Sequence, residues 1–398
     1  VRRPPPATAP LAGARLPGLD ALRAWAIIWV MLYHASGTGL IPDGNVLADH
    51  GWMGVDLFFV LSGYLIGGQL FREMARGAPL DLRSFYLRRA FRTLPAYTVV
   101  LAVYFLAPHW REFKDIQPLW QFVTFTENLL IVPRPPKAFS HVWSLCVEEQ
   151  FYLVFPFIVL ALVRRPSVRK TAIICAAVLL GGMLLRGAIW WHSLAPYTNG
   201  DDIKPGYIPT FQRLLYYPTW TRLDGLFAGV LAASLEVFRP GWWQAITARA
   251  NLLLVAGLAG LGASFGVFKH IFPGLWQTVV GYPLISLSLG LIVVAATSPN
   301  CAVFRRPIPG AKTVALMSYS LYLSHKLLIG WGASAFATPD DHVRWWPGLI
   351  VALAIAVVGS ALHFGVERPA LKLRDRLVRT SIPGGIGSGS GAAKGYLA

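Results

Sequence analysis

The stretch GLDALRAWAIIWVMLYHASG, running from Gly18 to Gly37, is apolar enough to cross a bilayer, yet it carries Arg23 near one end and His34 near the other. Eleven residues separate the two, and eleven steps of about 100° return an α-helix to within roughly 20° of its starting direction. Both polar groups therefore share one face, about 16 Å apart along the axis. A helix that must satisfy its own backbone in lipid and still aims a cation and an imidazole along one line belongs to a membrane bundle with a polar interior.

The rest of the chain agrees. Of its 398 residues 55% are hydrophobic and only 14% charged, where a soluble domain would carry about a quarter charged residues. Apolar stretches of about 20 residues, the length that spans a ~30 Å hydrocarbon core, recur from end to end. The expected class is an all-α polytopic membrane protein. The net charge of +17 comes from Lys and Arg placed between apolar segments, the pattern of cytoplasmic loops, and this argues against nucleic acid as a partner. Cys146, Cys175 and Cys301 are too few and too widely spaced for a disulfide framework or a metal site.

Spanning helices are expected at roughly 19–38, 52–72, 90–107, 142–163, 171–191, 219–237, 251–268, 277–297, 313–336 and 347–366. Charge settles the one ambiguous piece, 117–133. The basic loops at 72–92 and 164–170 should both be cytoplasmic, so everything between the helix that leaves at 90 and the one that returns at 163 lies outside. Segment 117–133 is then re-entrant or interfacial, not a full crossing. Ten crossings with both termini cytoplasmic follow, in a plasma membrane and most simply a bacterial inner membrane. Residues 1–17 read as a disordered lead-in and not a signal peptide, 18–375 as one transmembrane domain, and 376–398 as a low-complexity tail.

An ionisable group at mid-membrane costs about 2.5–3.5 kcal/mol on insertion scales and marks a functional site by default. Arg23 enters the first helix near its cytoplasmic end. Arg89 and Arg92, three apart in YLRRAFR and on one face, sit at the cytoplasmic start of the third. Each could be an ordinary interface anchor, but three guanidinium forks at one mouth suit phosphates. In the outer half lie His34, Asp56 of GVDLFFVLSGYLIG and Glu148 of HVWSLCVEEQFYL. A carboxylate on one ring nitrogen of a histidine fixes its tautomer and raises the basicity of the other. Asp56 or Glu148 could supply it, and the spacing does not choose between them. Glu149 points about 100° away from Glu148. Arg222 and Asp224 of TRLDGLFAG could be a self-neutralising pair, and His325 and Lys326 of SYSLYLSHK point to different faces. Cys146 reads as a packing residue, and Ser62, Gly63, Gly67 and Gly68 as points of close helix approach.

Taken in order, LDALRAWAIIWVMLYH, GVDLFFVLSGYLI, FYLRRAFRTLP, HVWSLCVEEQFYL, RLDGLFAG, SYSLYLSH and VERPALKLR resemble the acyltransferase 3 family of membrane proteins, from Leu19 to about Arg374. The resemblance implies about ten transmembrane helices and the transfer of acyl groups, typically acetyl from acetyl-CoA, to extracytoplasmic acceptors such as surface polysaccharides. It carries the family's first-helix Arg and His onto Arg23 and His34, its Arg-x-x-Arg motif onto Arg89 and Arg92, and its acidic positions onto Asp56 and Glu148. Two departures stand out: Cys146 where Ser is common, and LSHK where LWHW is usual. Some members carry an appended esterase-like domain, which is not expected here.

The two readings join in one scheme. Arg23, Arg89 and Arg92 hold the phosphates of acyl-CoA at the cytoplasmic mouth. The pantetheine arm, on the order of 15–20 Å long, spans the distance to the imidazole derived from helix rise. His34 then removes the proton from an acceptor hydroxyl, favouring a glycan over a hydrophobic natural product, with Asp56 or Glu148 orienting it. No metal is required. A covalent acyl-histidine relay is the variant, and an acyl shuttle to a periplasmic partner enzyme or a proton-coupled transporter or flippase are the rival functions.

Overall fold

The computed structural model describes residues 16–42, 44–77, 79–162, 167–199, 202–268, 273–336 and 345–380. The expected lead-in up to residue 15, the tail beyond 380 and much of the loops around 164 and 340 lie outside the described residues. Long helices occupy every stretch read as a span: α1 (Pro17–Ala35), α2 (Met53–Ala75), α3 (Leu82–Leu106), α4 (Trp143–Leu162), α5 (Val168–Ser193), α6 (Asp224–Phe238), α7 (Ala250–Val267), α8 (Tyr282–Ala296), α9 (Ala311–Ala335) and α10 (Trp345–Leu362). A π-helical turn, His363–Glu367, joins α10 to α11 (Arg368–Thr380), which continues past the boundary expected at 375. Among the described residues strand is confined to two short pairs: β1 (Asp115–Ile116) parallel to β2 (Lys137–Ala138), and β3 (Thr198–Asn199) antiparallel to β4 (Asp202–Ile203).

Among the described residues six helical stretches are long and apolar enough to cross a membrane: Met53–Ala75, Ser140–Ala161, Val168–Ser193, Ala250–Val267, Gln277–Ala296 and Trp346–Leu377. The other four expected spans fall short for visible reasons. Helix α6 has only 15 residues, α1 carries Asp20 and Arg23, α3 carries four arginines, and α9 carries Lys312 and Lys326 among serines and tyrosines. Three of them, α1, α3 and α9, carry Arg23, His34, Arg89, Arg92 and His325, while Asp56 and Glu148 lie on the apolar spans α2 and α4.

The core sorts the helices by burial. Helix α2 is buried on nearly all sides, as a central helix must be, while α5, α7 and α10 keep most of their surface at the periphery. Helix α1 packs between α9 and α2. The tightest crossing is α2 on α6, where glycines meet backbone: a Cβ at Gly63 would lie 1.9 Å from the Leu226 carbonyl oxygen, and one at Gly229 would lie 2.1 Å from that of Val60. Small residues allow such approach in membranes. Gly63→Ala is expected to push the helices apart at a cost of about 1–3 kcal/mol, seen as a lower thermal midpoint in detergent; an unchanged midpoint would show that the contact is soft.

Segment 117–133 forms no continuous helix. Two short helical pieces, Leu119–Val123 and Glu127–Leu130, flank Phe125, whose φ is 53°. Phe122 and Asn128 turn inward while Trp120 and Val123 stay exposed. Gln150 of α4 pins the piece by donating to the Phe125 carbonyl (2.7 Å) and to Asn128 Oδ1 (3.0 Å), and Asn128 reaches the Tyr217 carbonyl (3.2 Å). The buried amides of an irregular segment must find such partners inside the protein.

Candidate active site

Three imidazoles meet where α1, α9 and the turn before α4 converge. His325 Nε2 lies 2.8 Å from His34 Nδ1. His141 completes the group, with ring centroids 5.0 Å from His325 and 6.1 Å from His34. His325 and His141 are buried, His34 half-buried.

The hydrogen bonds assign the protons. His325 Nδ1 faces the carbonyls of Tyr322 (2.7 Å) and Leu321 (3.3 Å). A carbonyl only accepts, so Nδ1 carries the hydrogen, and in a neutral ring Nε2 is the acceptor. The partner nitrogen, His34 Nδ1, must then be the donor. This leaves His34 Nε2 with its lone pair, the state of a general base. Both nitrogens of His141 are buried without a hydrogen-bond partner, a costly arrangement in the resting protein. Its backbone is held firmly: the Tyr322 hydroxyl donates to the His141 carbonyl (2.6 Å), and Ser144 shares that hydroxyl at 2.5 Å. Next to it, Lys326 Nζ donates to Ser140 Oγ (3.2 Å) and pairs with Glu112 (3.4 Å), whose Oε1 also accepts from the Phe139 amide (3.0 Å). His325 and Lys326 do point to different faces, and both hold the wall of the site.

The two carboxylates weighed as partners of His34 are engaged elsewhere. Asp56 receives two hydrogen bonds from Arg222 Nη2, at 2.9 and 3.0 Å. That guanidinium is stacked among Trp143, Tyr216 and Tyr282, with centroids 5.3, 4.9 and 4.3 Å away. Glu148 accepts from the Tyr152 hydroxyl (3.3 Å), which also meets Ser62. Among the described residues neither carboxylate hydrogen-bonds His34; the imidazole of His325 does. Arg222 and Asp224 are not each other's partner either, because Asp224 takes a two-pronged contact from the buried Arg186 at 2.7 and 3.2 Å.

The arginine motif lies at the other end of the same buried polar seam. Arg89 stacks over Tyr152, 5.7 Å from its centroid, and its Nε is buried without a partner. Arg92 is committed to Glu367, which also holds Ser320 (2.7 Å) and His363 (3.0 Å), and its guanidinium lies 5.6 Å from the Tyr319 ring. Thr93 donates to Glu149 at 2.8 Å and its carbonyl accepts from Tyr319 at 2.8 Å. Tyr319 and His325 stand six residues apart on α9, a rise of about 9 Å, so one helix links the arginine level to the imidazole level. Arg23 is half-buried on α1. Outside the membrane, Asp81 caps α3 by accepting from the Ser84 amide (3.0 Å) and hydroxyl, and these bonds hold its carboxyl below the usual range.

Several of these residues were within reach of the sequence. His141 begins the quoted HVWSL, Glu367 sits in VERPALKLR, and Glu149 adjoins Glu148. What marks them is an orphaned ring, a salt bridge and a threonine on another helix, none of which has a local signature.

A family profile described as "Acyltransferase domain" matches residues 16–364. O-acetyltransferase OatA of Staphylococcus aureus strain NCTC 8325 / PS 47 is 28% identical over 389 residues, covering 90% of this chain and 57% of the relative. The protein of the same name from strain COL matches equally. The chain thus spans a little over half the length of these relatives. No solved structure matches it. The apolar helices, the ordered motifs and a profile that covers the whole bundle place the chain in the acyltransferase 3 family.

Proposed function

We propose that the protein is an integral membrane O-acyltransferase that moves an acyl group, most simply acetyl, from cytoplasmic acyl-CoA to a hydroxyl of an extracytoplasmic glycan. The bundle crosses the plasma membrane ten times, with both termini in the cytoplasm, an arrangement supported by the basic loops at 72–92 and 164–170. The observation that carries the reading is the tautomer chain from the Tyr322 carbonyl through His325 to His34, which leaves a free lone pair on His34 Nε2.

In this mechanism His34 Nε2 takes the proton of the acceptor hydroxyl as the oxygen attacks the acyl carbonyl. The intermediate then collapses with cleavage of the C–S bond, and the CoA thiolate leaves with the proton returned from His34. His325 plays the orienting part that a carboxylate would otherwise play. Asp56 positions Arg222 behind the site, and Glu148 lines the seam between the two ends. His141 has a ring N–H to offer the oxyanion, which would satisfy a group the resting site leaves unpaired. At the cytoplasmic mouth Arg23, Arg89 and Arg92 face the donor's phosphates. Arg89 has the most spare capacity, because Glu367 already neutralises Arg92. Base catalysis supplies about 10²–10⁴-fold, and positioning much of the rest. Names of the two relatives that read O-acetyltransferase support acetyl as the group moved.

Purified protein in lipid nanodiscs should bind acetyl-CoA and release free CoA, and mass spectrometry of surface glycans from cells with and without it should show a lost acetyl increment. Protein that neither binds acetyl-CoA nor releases CoA overturns the reading in favour of a transporter. CoA release with no modified glycan, restored by adding a periplasmic extract, would instead indicate an acyl shuttle.

A further inference from the structure

On the outer side of the imidazoles a cavity of about 490 Å³ opens between the proline-rich strap that follows Ile131 and the helical segment around Gln212. That volume suits one or two sugar rings. Ser140, the residue before His141, is part of its lining, and Ser140 Oγ accepts from Lys326, the residue after His325. The cavity is thus joined to His141 through backbone at Ser140 and to the neighbour of His325 through one hydrogen bond. Phe113 and Tyr217 line the walls, offering ring faces to the apolar side of a sugar.

Its charge is one-sided. Arg134 and Lys137 line the cavity and no carboxylate does. Lys137 spends part of its charge on the exposed Asp115, 3.2 Å away. Arg134 is exposed and makes no ion pair or hydrogen bond among the described residues. A guanidinium fork left open at the lip of a cavity recognises carboxylate or phosphate oxygens in a fixed orientation.

Resting on the acyltransferase reading above, we infer that this cavity is the acceptor subsite and that it selects an anionic glycan, with Arg134 gripping a carboxylate or phosphate near the hydroxyl that faces His34. Binding is measured first, because it does not need catalysis: nanodisc-embedded protein is titrated with a galacturonic acid oligomer, a glycerol phosphate oligomer and a neutral maltooligosaccharide of matched length. The anionic oligomers should bind more tightly than the neutral one, less so as salt rises, and whichever of the two binds better names the group as carboxylate or phosphate. Arg134→Gln should weaken anionic binding about five- to tenfold, leave the neutral oligomer unchanged and raise KM for the anionic acceptor with kcat intact. Arg134→Lys should recover part of the loss. Acetyl-CoA binding should be the same in all three proteins. Equal binding of charged and neutral oligomers, or an Arg134→Gln variant that binds anionic oligomers as well as wild type, overturns the inference while leaving CoA release by His34 intact. Absent CoA release with anionic binding preserved overturns the transferase reading and leaves the subsite standing.

Discussion

His34→Ala is expected to lower acyl transfer by about 10²–10⁴-fold, the range for loss of a positioned base, while acetyl-CoA still binds at close to the wild-type affinity. The two readouts separate because the donor's phosphates would be held near Arg89, whereas His34 belongs to the imidazole cluster at the far end of the seam. The tautomer chain makes the prediction sharper. His34→Gln keeps a group of similar reach but no comparable base, so it should fail as badly as alanine. His325→Ala removes the acceptor that fixes the His34 tautomer, so it should act through kcat and less severely, since Nε2 of His34 survives. His325→Asn, which can still accept from His34 Nδ1, should recover some of that loss. Rates from purified variants in nanodiscs with labelled acetyl-CoA decide the matter. Transfer by His34→Ala within a fewfold of wild type would remove the base from His34. An acetyl label trapped on wild type, released by mild acid or hydroxylamine as an acyl imidazole is, and absent from His34→Ala would favour the covalent relay over simple base catalysis.

The helices were legible because a spanning helix is written locally, in about 20 apolar residues bounded by charge. The segment at 117–133, expected not to cross, is indeed broken into two short helical pieces about Phe125. Which ionisable groups lie inside apolar helices was legible too, because such a group announces itself in sequence. Partners were not. Periodicity places a side chain on its own helix but says nothing about how neighbouring helices are rotated against it. His325 reaches His34 across 291 positions, and Arg222 reaches Asp56 across 166. Depth alone grouped His34, Asp56 and Glu148 as one layer, yet Asp56 turns toward an aromatic-walled arginine and Glu148 toward Tyr152. Chemistry that favoured a carboxylate beside a histidine was sound in general, but the site uses a second imidazole.

The Asp56 contact yields the other large effect, and it falls on stability. Arg222 is among the most buried side chains, and its Nε and Nη1 already lack hydrogen-bond partners, so Asp56 is the group that balances its charge directly. Removing one member of such a pair costs about 3–5 kcal/mol, because the other is left charged and unpaired in a medium that cannot solvate it. Asp56→Asn and Arg222→Leu are therefore each expected to lower the thermal midpoint and the yield of folded protein sharply. Replacing both, Asp56→Leu with Arg222→Leu, should recover much of the loss, since an apolar pair of similar volume avoids the burial of charge altogether. Such recovery is specific to coupling, and the double-mutant cycle completed by the single Asp56→Leu variant measures it. Per folded molecule, the Asp56→Asn variant should transfer acyl groups far better than His34→Ala does. An Asp56→Asn protein that melts like wild type yet has lost transfer by a hundredfold or more would return Asp56 to the reacting centre and displace His325 from its orienting part.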